Sequence, residues 1–294
     1  MGELLIAGLF MVLLGFLLSA VLAVANLGLF VYEDPRINDV EEMLPATNCG
    51  ACGLPGCRVL AEAVVGGEAA PGKCTVSSPD TVKAVADFLG VDAGVEEKRV
   101  ARLACAGGSH VAWTRARYEG LDTCRGAALI SGGGKGCSWG CLGLGDCEDV
   151  CDCGAISIDS HGLPIVDEAS CTACNACIEV CPKQLFSLHP ISHRLWVACK
   201  NLAMGEEAEA ECEVACNACG RCAADAPGEL VAMEDNLAVV DYSKNHLASK
   251  APTERCPTGA IVWLEPDGKI SKGQGARKVT RKTALRVVAA PVKT

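Results

Sequence analysis

"CTACNACIEVCP", residues 171–182, sets four cysteines at C-x2-C-x2-C-x3-C and closes on a proline. That spacing wraps three thiolates around one iron–sulfur cube and sends the fourth, here Cys181, to a neighbouring cube. A partner motif must therefore lie nearby, and "CSWGCLGLGDCEDVC" (137–151) supplies it, with the expanded spacing C-x3-C-x5-C-x3-C. By the crossing rule Cys137, Cys141 and Cys147 join Cys181, and Cys171, Cys174 and Cys177 join Cys151.

Further along, the chain repeats this two-cluster ferredoxin pattern with an offset of 74–75 residues: "LPIVDEASC" (163–171) parallels "LAVVDYSKN" (237–245), and "CPKQLFSL" (181–188) parallels "CPTGAIVWL" (256–264). The second copy keeps Cys216, Cys219 and Cys222 in "CNACGRCAADAP", but Ala226 stands at its fourth position. Asn245, Ala248 and Ala251 stand where three cysteines would precede Cys256. Crossing assigns Cys256 to Cys216, Cys219 and Cys222, so one cluster is kept whole and the other is lost at all four positions.

Upstream, "NCGACGLPGC" and a more distant cysteine give Cys49, Cys52, Cys57 and Cys74, spaced C-x2-C-x4-C-x16-C. Four thiolates also suit zinc, but zinc sites usually pair two short knuckles. Three cysteines in a tight run with a distant fourth fit a cube better. Arg58–Val65 reads as a helix with Val59, Leu60 and Ala63 on one face, and residues 79–90 read as a second. Sixteen of the 21 cysteines are thus assigned to four 4Fe–4S clusters. Cys105, Cys124, Cys153, Cys199 and Cys212 remain and read as small buried apolar residues. For Cys105 and Cys124, pairing or another metal stays open.

Leu4 to Val31 is an uncharged apolar stretch of 28 residues, long enough to span a bilayer. Met1-Gly2-Glu3 lacks the basic start of a signal peptide, which favours a retained anchor. Thiolate clusters need a reducing compartment, which places residues 33–294 in the cytoplasm. The net charge is −10, with eight Lys/Arg and no Asp/Glu from Lys269 onward, leaving 18 basic against 36 acidic residues before it. An acidic body argues against a nucleic-acid partner, and the basic tail reads as a solvated end. "SGGGKGC" (131–137) lacks the spacing of a phosphate loop. His110 and the other histidines read as scattered structural or surface residues. No catalytic constellation accompanies the cysteines. Backbone N–H groups near Gly50, Gly53, Gly143 and Gly220 are expected to hydrogen-bond cluster sulfurs.

Together, "DPRINDVEEMLPATNCGACGLPGC", "YEGLDTC", "GCSWGCLGLGDC", "CTACNACIEVCPKQL" and "CNACGRC…NLAVVDY…CPTGAI" resemble the B subunit of the Rnf-type ion-translocating ferredoxin:NAD oxidoreductase (electron transport) complex, in its long form with two ferredoxin modules. The chain departs from that form at Ala226, Asn245, Ala248 and Ala251. The resemblance implies an electron-relay subunit of a translocating oxidoreductase. It would accept electrons from soluble reduced ferredoxin and pass them through other membrane and peripheral subunits toward NAD, with coupled Na⁺ or H⁺ movement. The competing readings are a membrane-anchored electron donor to a redox-sensing regulator or other acceptor, and a zinc-binding scaffold.

The expected fold is a single transmembrane helix, a small mostly α 4Fe–4S domain and two α+β ferredoxin-like modules. The expected boundaries are 1–32 anchor, 33–91 first cluster domain, 92–136 linker, 137–190 two-cluster module, 191–266 one-cluster module and 267–294 basic tail. The expected place is the inner (cytoplasmic) membrane, single-pass, with the clusters on the cytoplasmic side.

Overall fold

The computed structural model describes residues 2–29, 33–94, 97–266 and 268–277. Helix α1 (Gly2–Leu29) takes up the apolar start, and its span Ile6–Gly28 has a mean hydropathy of 2.6 and no buried residue. A helix that is apolar on every side and unburied by its own chain has lipid or another helix as its natural solvent.

The first cluster domain is helical. It contains α2 (Arg36–Met43), α3 (Cys57–Val65) and α4 (Pro79–Leu89). Ser78 caps α4 by accepting from the Thr81 N–H, Pro79 occupies its first turn, and Gly90 ends it in the left-handed region. On α3 the buried face is Cys57, Leu60, Ala61 and Val64, not the Val59–Leu60–Ala63 face expected. The i, i+3, i+4, i+7 stripe begins at the cysteine itself, because Cys57 must face inward. Val40, Leu44, Leu60, Val64 and Val85 close this separate core.

The ferredoxin-like modules share one plan. In the first, β1 (Arg99–Leu103) is followed by α5 (Cys124–Leu129), α6 (Asp146–Asp149), β2 (Ile156–Ile158), β3 (Pro164–Val166), α7 (Ala176–Val180) and β4 (Phe186–Pro190). The second runs β5 (Leu195–Val197), α8 (Gly205–Glu211), α9 (Arg221–Asp225), β6 (Val231–Glu234), β7 (Leu237–Val240), α10 (Ala251–Glu254), β8 (Ile261–Leu264) and β9 (Ile270–Ser271). Each has an inner antiparallel hairpin, β2–β3 or β6–β7, and an outer antiparallel pair, β1–β4 or β5–β8. The outer pairs join residues far apart in sequence, such as Arg99 with Pro190.

Two stretches differ from expectation. Residues 92–136, read as a linker, supply β1 and α5, and Val111 and Ala112 enter the core of the second module. The basic tail begins docked: β9 pairs with β8, and the Arg277 N–H donates to Pro257 O at 2.9 Å. Residues 278–294 lie outside the described residues.

The modules are sewn together by backbone. The Ala106 N–H donates to Ala198 O at 3.0 Å, and the Trp196 indole N–H donates to Leu103 O at 2.8 Å. The segments just after β1 and just after β5 therefore run side by side.

Candidate metal centres

Each helical turn that follows a cysteine run begins at or near a cysteine, so short helices aim thiols at common points. In the first domain Cys52, Cys57 and Cys74 share one apolar core. Cys49 and Cys52 lie on the loop over it, which closes where the Cys57 N–H donates to Asn48 Oδ1 at 2.8 Å.

In the first module the thiol of Cys177 interacts electrostatically with those of Cys171, Cys174 and Cys151. In the second, Cys216, Cys219, Cys222 and Cys256 line one void of about 330 Å³. The residue that closes each motif thus stands with cysteines from the other end of its module. Of the four positions without cysteine, Ala226 and Ala248 lie against the second module's core and Ala251 is exposed. Asn245 donates through its side-chain amide to Ser192 O at 3.3 Å.

Cys137 is placed differently from expectation. It opens a turn in which the Gly140 N–H donates to Cys137 O, and it lines a different void from Cys141. The void of about 340 Å³ beside Cys141, Cys147 and Cys181 is completed by Cys124 instead. Asp146 fixes Cys124 there, accepting from the Cys124 N–H at 2.6 Å and from the Arg125 N–H at 3.2 Å, while Thr123 caps the same helix. Cys137 lines another void with Cys105, Cys199 and Cys212.

Of the five cysteines read as packing, Cys124, Cys199 and Cys212 are buried, Cys105 is half-buried and Cys153 is exposed. Cys153 lies outside the core, its sulfur 3.6 Å from that of Cys151. Spacing alone conceals the roles of Cys105, Cys124, Cys199 and Cys212. One signal was available: "RLAC" (102–105) and "RLWVAC" (194–199) each place a cysteine two residues beyond an outer strand.

Burial pushes the thiols of Cys141, Cys147, Cys177 and Cys222 up to about 12. Without a cation these thiols hold their protons, so loading a metal must displace protons and depends on pH. Against that, N–H groups point at sulfur: Leu185 N donates to Cys181 Sγ at 3.5 Å, and the backbone at Gly143 bonds the Cys141 sulfur. Gly143 also sits where a Cβ would meet Gly162 O at 2.8 Å, with φ +77, so only glycine lets the two loops close.

Among the described residues, no group of three Cys, His, Asp or Glu side chains converges on one ion position. A single zinc draws thiolates to about 2.3 Å of one point. Thiols ranged around a void match a polynuclear cluster.

The remaining polar motifs serve the framework. In "SGGGKGC" the Lys135 ammonium donates to Gly107 O at 2.6 Å and to Cys141 O, so it bolts two cysteine loops together. Four of the five histidines fall into two groups. His110 lies 4.0 Å from His161, and His193 stacks on Tyr242 at 4.1 Å beside His189.

Ferredoxin-like modules whose cysteines ring voids define an iron–sulfur electron carrier. The family model described as "Putative Fe-S cluster" matches residues 44–76, and that described as "4Fe-4S binding domain" matches residues 164–185. The chain is 40% identical over 247 residues to the B subunit of the Na(+)-translocating ferredoxin:NAD(+) oxidoreductase complex of Acetobacterium woodii, covering 84% of this chain and 74% of that protein. It is 34% identical to the B subunit of the ion-translocating oxidoreductase complex of Methanosarcina acetivorans, covering 84% of this chain and 94% of the relative. With the B subunit of the proton-translocating ferredoxin:NAD(+) oxidoreductase complex of Clostridium ljungdahlii the identity is 37%, over 85% and 89% of the two chains. The chain belongs to the family of B subunits of ion-translocating ferredoxin:NAD(+) oxidoreductase complexes.

Proposed function

We propose that this chain receives electrons from reduced ferredoxin and relays them, through other subunits of a membrane complex, toward NAD with coupled Na⁺ or H⁺ movement. The observation that carries the reading is the gathering of cysteines into contiguous groups inside ferredoxin-like modules. Four sets of ligands are proposed, each for one 4Fe–4S cube: Cys49, Cys52, Cys57 and Cys74; Cys151, Cys171, Cys174 and Cys177; Cys124, Cys141, Cys147 and Cys181; Cys216, Cys219, Cys222 and Cys256. Cys124 takes the place that spacing gave to Cys137.

A bound cube takes up and releases one electron with little rearrangement. The protein's part is to hold the thiolates, aim N–H dipoles at sulfur and keep water out, the levers that set potential. The groups also adjoin: Cys147 interacts electrostatically with Cys177 of the next set. Helix α1 anchors the relay in the inner (cytoplasmic) membrane, lipid covering its apolar surface, with the cluster domains on the cytoplasmic face where thiolates stay reduced.

The test is rapid anaerobic mixing of reduced ferredoxin with the oxidised full-length protein in detergent. The reading predicts bleaching of the protein's visible iron–thiolate absorbance, with ferredoxin reoxidised in step. Ferredoxin that stays reduced in the presence of the loaded protein would overturn it.

A further inference from the structure

The void lined by Cys105, Cys137, Cys199 and Cys212 takes only Cys137 from a ferredoxin motif. Two of its thiols come from the first module's side and two from the second's. Cys105 follows β1 by two residues and Cys199 follows β5 by two, on the segments that the Ala106–Ala198 hydrogen bond lays side by side. Cys212 follows α8 directly, and Cys137 opens the turn in which its carbonyl accepts from the Gly140 N–H.

The void measures about 320 Å³, against about 330 Å³ for the one lined by Cys216, Cys219, Cys222 and Cys256 and about 340 Å³ for the one lined by Cys124, Cys141, Cys147 and Cys181. Small or apolar residues such as Ala106, Ala112, Trp139 and Ala198 line it, with Lys135, Lys200 and Asn201 as its polar members. The thiols interact with one another: Cys105 with Cys137, Cys199 and Cys212, and Cys137 with Cys212.

Hydrogen bonding points the same way. Cys105 Sγ accepts from the N–H of Gly107 and of Cys141, both at 3.4 Å. Cys199 Sγ accepts from Asn201 N at 3.4 Å and from Cys216 N at 3.3 Å. The backbone at Trp139 and Gly140 bonds the Cys137 sulfur, and that at Val214 bonds Cys212. Donors converging on four buried or half-buried sulfurs suit anionic thiolates better than neutral thiols. A purely apolar role would need none of them.

We propose that Cys105, Cys137, Cys199 and Cys212 hold a fifth 4Fe–4S cube, seated between the two modules. The proposal rests on the reading that the other thiol groups carry such cubes. Each thiol gives its proton to solvent as its sulfur bonds one iron of a preformed cube and displaces the carrier thiolate held there, which leaves as a thiol on taking up a proton, with no change in electron count. The site bridges the modules. Cys141, a member of the first module's set, donates its N–H to Cys105, and Cys216, a member of the second's, donates its N–H to Cys199. The one-cluster module, having lost its own second cube, thereby keeps a continuous line of thiolate sites back to the two-cluster module. Lys135, whose ammonium bonds Gly107 O, lines the same void and offsets the added negative charge.

The test is iron, acid-labile sulfide and zinc on the anaerobically purified full-length protein in detergent. About twenty irons and twenty sulfides per chain are expected, since each cube holds four of each. Cys105→Ala and Cys199→Ala should each lose about four irons, while Cys153→Ala should lose none. If one variant fails to fold, the other and the wild-type count still decide. About sixteen irons in the wild type, with or without stoichiometric zinc, would overturn the fifth site and leave the relay standing. About twenty irons unchanged in both variants would overturn this ligand set. Iron near zero would sink the relay reading itself.

Discussion

Cys256 shows how much one residue can carry. Its grouping with Cys216, Cys219 and Cys222 is legible in the sequence, because the motif spacing is local and crossing is a rule of the module. Replacing it by alanine should remove about four irons and leave the signals of the cube at Cys151, Cys171, Cys174 and Cys177 unchanged, as read by iron content and electron paramagnetic resonance. Asp146 was not legible. It follows a glycine and precedes a cysteine, and only the folded chain shows its carboxylate holding the start of α5. Asp146→Ala should cost about 1–2 kcal/mol of stability and speed loss of iron from the Cys124 set on chelator challenge. Lys135 offers a third residue-scale check. Exchanging it for methionine should lower the potential of one cube by tens of millivolts, about 60 mV corresponding to about 1.4 kcal/mol for one electron.

At the scale of elements, β1 and β4 determine how the first module closes. Their pairing escaped the sequence because the two strands lie almost a domain apart, and a five-residue strand carries too little periodicity to declare its partner. Arg102 on β1 is buried, 8% exposed, and pairs with Glu168 beyond β3. Glu168→Gln should destabilise the module by about 3 kcal/mol, because a buried guanidinium loses its counter-charge; urea unfolding would measure it. His189 on β4 lies against His193, Tyr242 and Trp196. Burial, then the charges of His193, Arg102 and Arg99, hold it down to about 4 from its ordinary 6.5. A depressed histidine stabilises the fold above its unfolded value, and that contribution is lost as pH falls from 6.5 to 4. The size is about 1–2 kcal/mol, discounted for partial exposure. His189→Gln should flatten the fall in melting temperature across that window.

Across the whole molecule the legible parts are those written in local spacing: the apolar helix and the two module repeats. What stayed hidden is the path of residues 92–136, which cross both modules and bring Cys105 and Cys124 to voids made by distant loops. The unburied apolar α1 is long and apolar enough to cross a membrane, whereas the chain as a whole is acidic. The central claim is that the thiol groups make this chain an electron carrier. An anaerobic reductive titration of the full-length, cluster-loaded protein tests it directly. The account predicts reversible uptake of about five electrons per chain, one for each cube; a protein that holds iron yet takes up no electrons reversibly would contradict it.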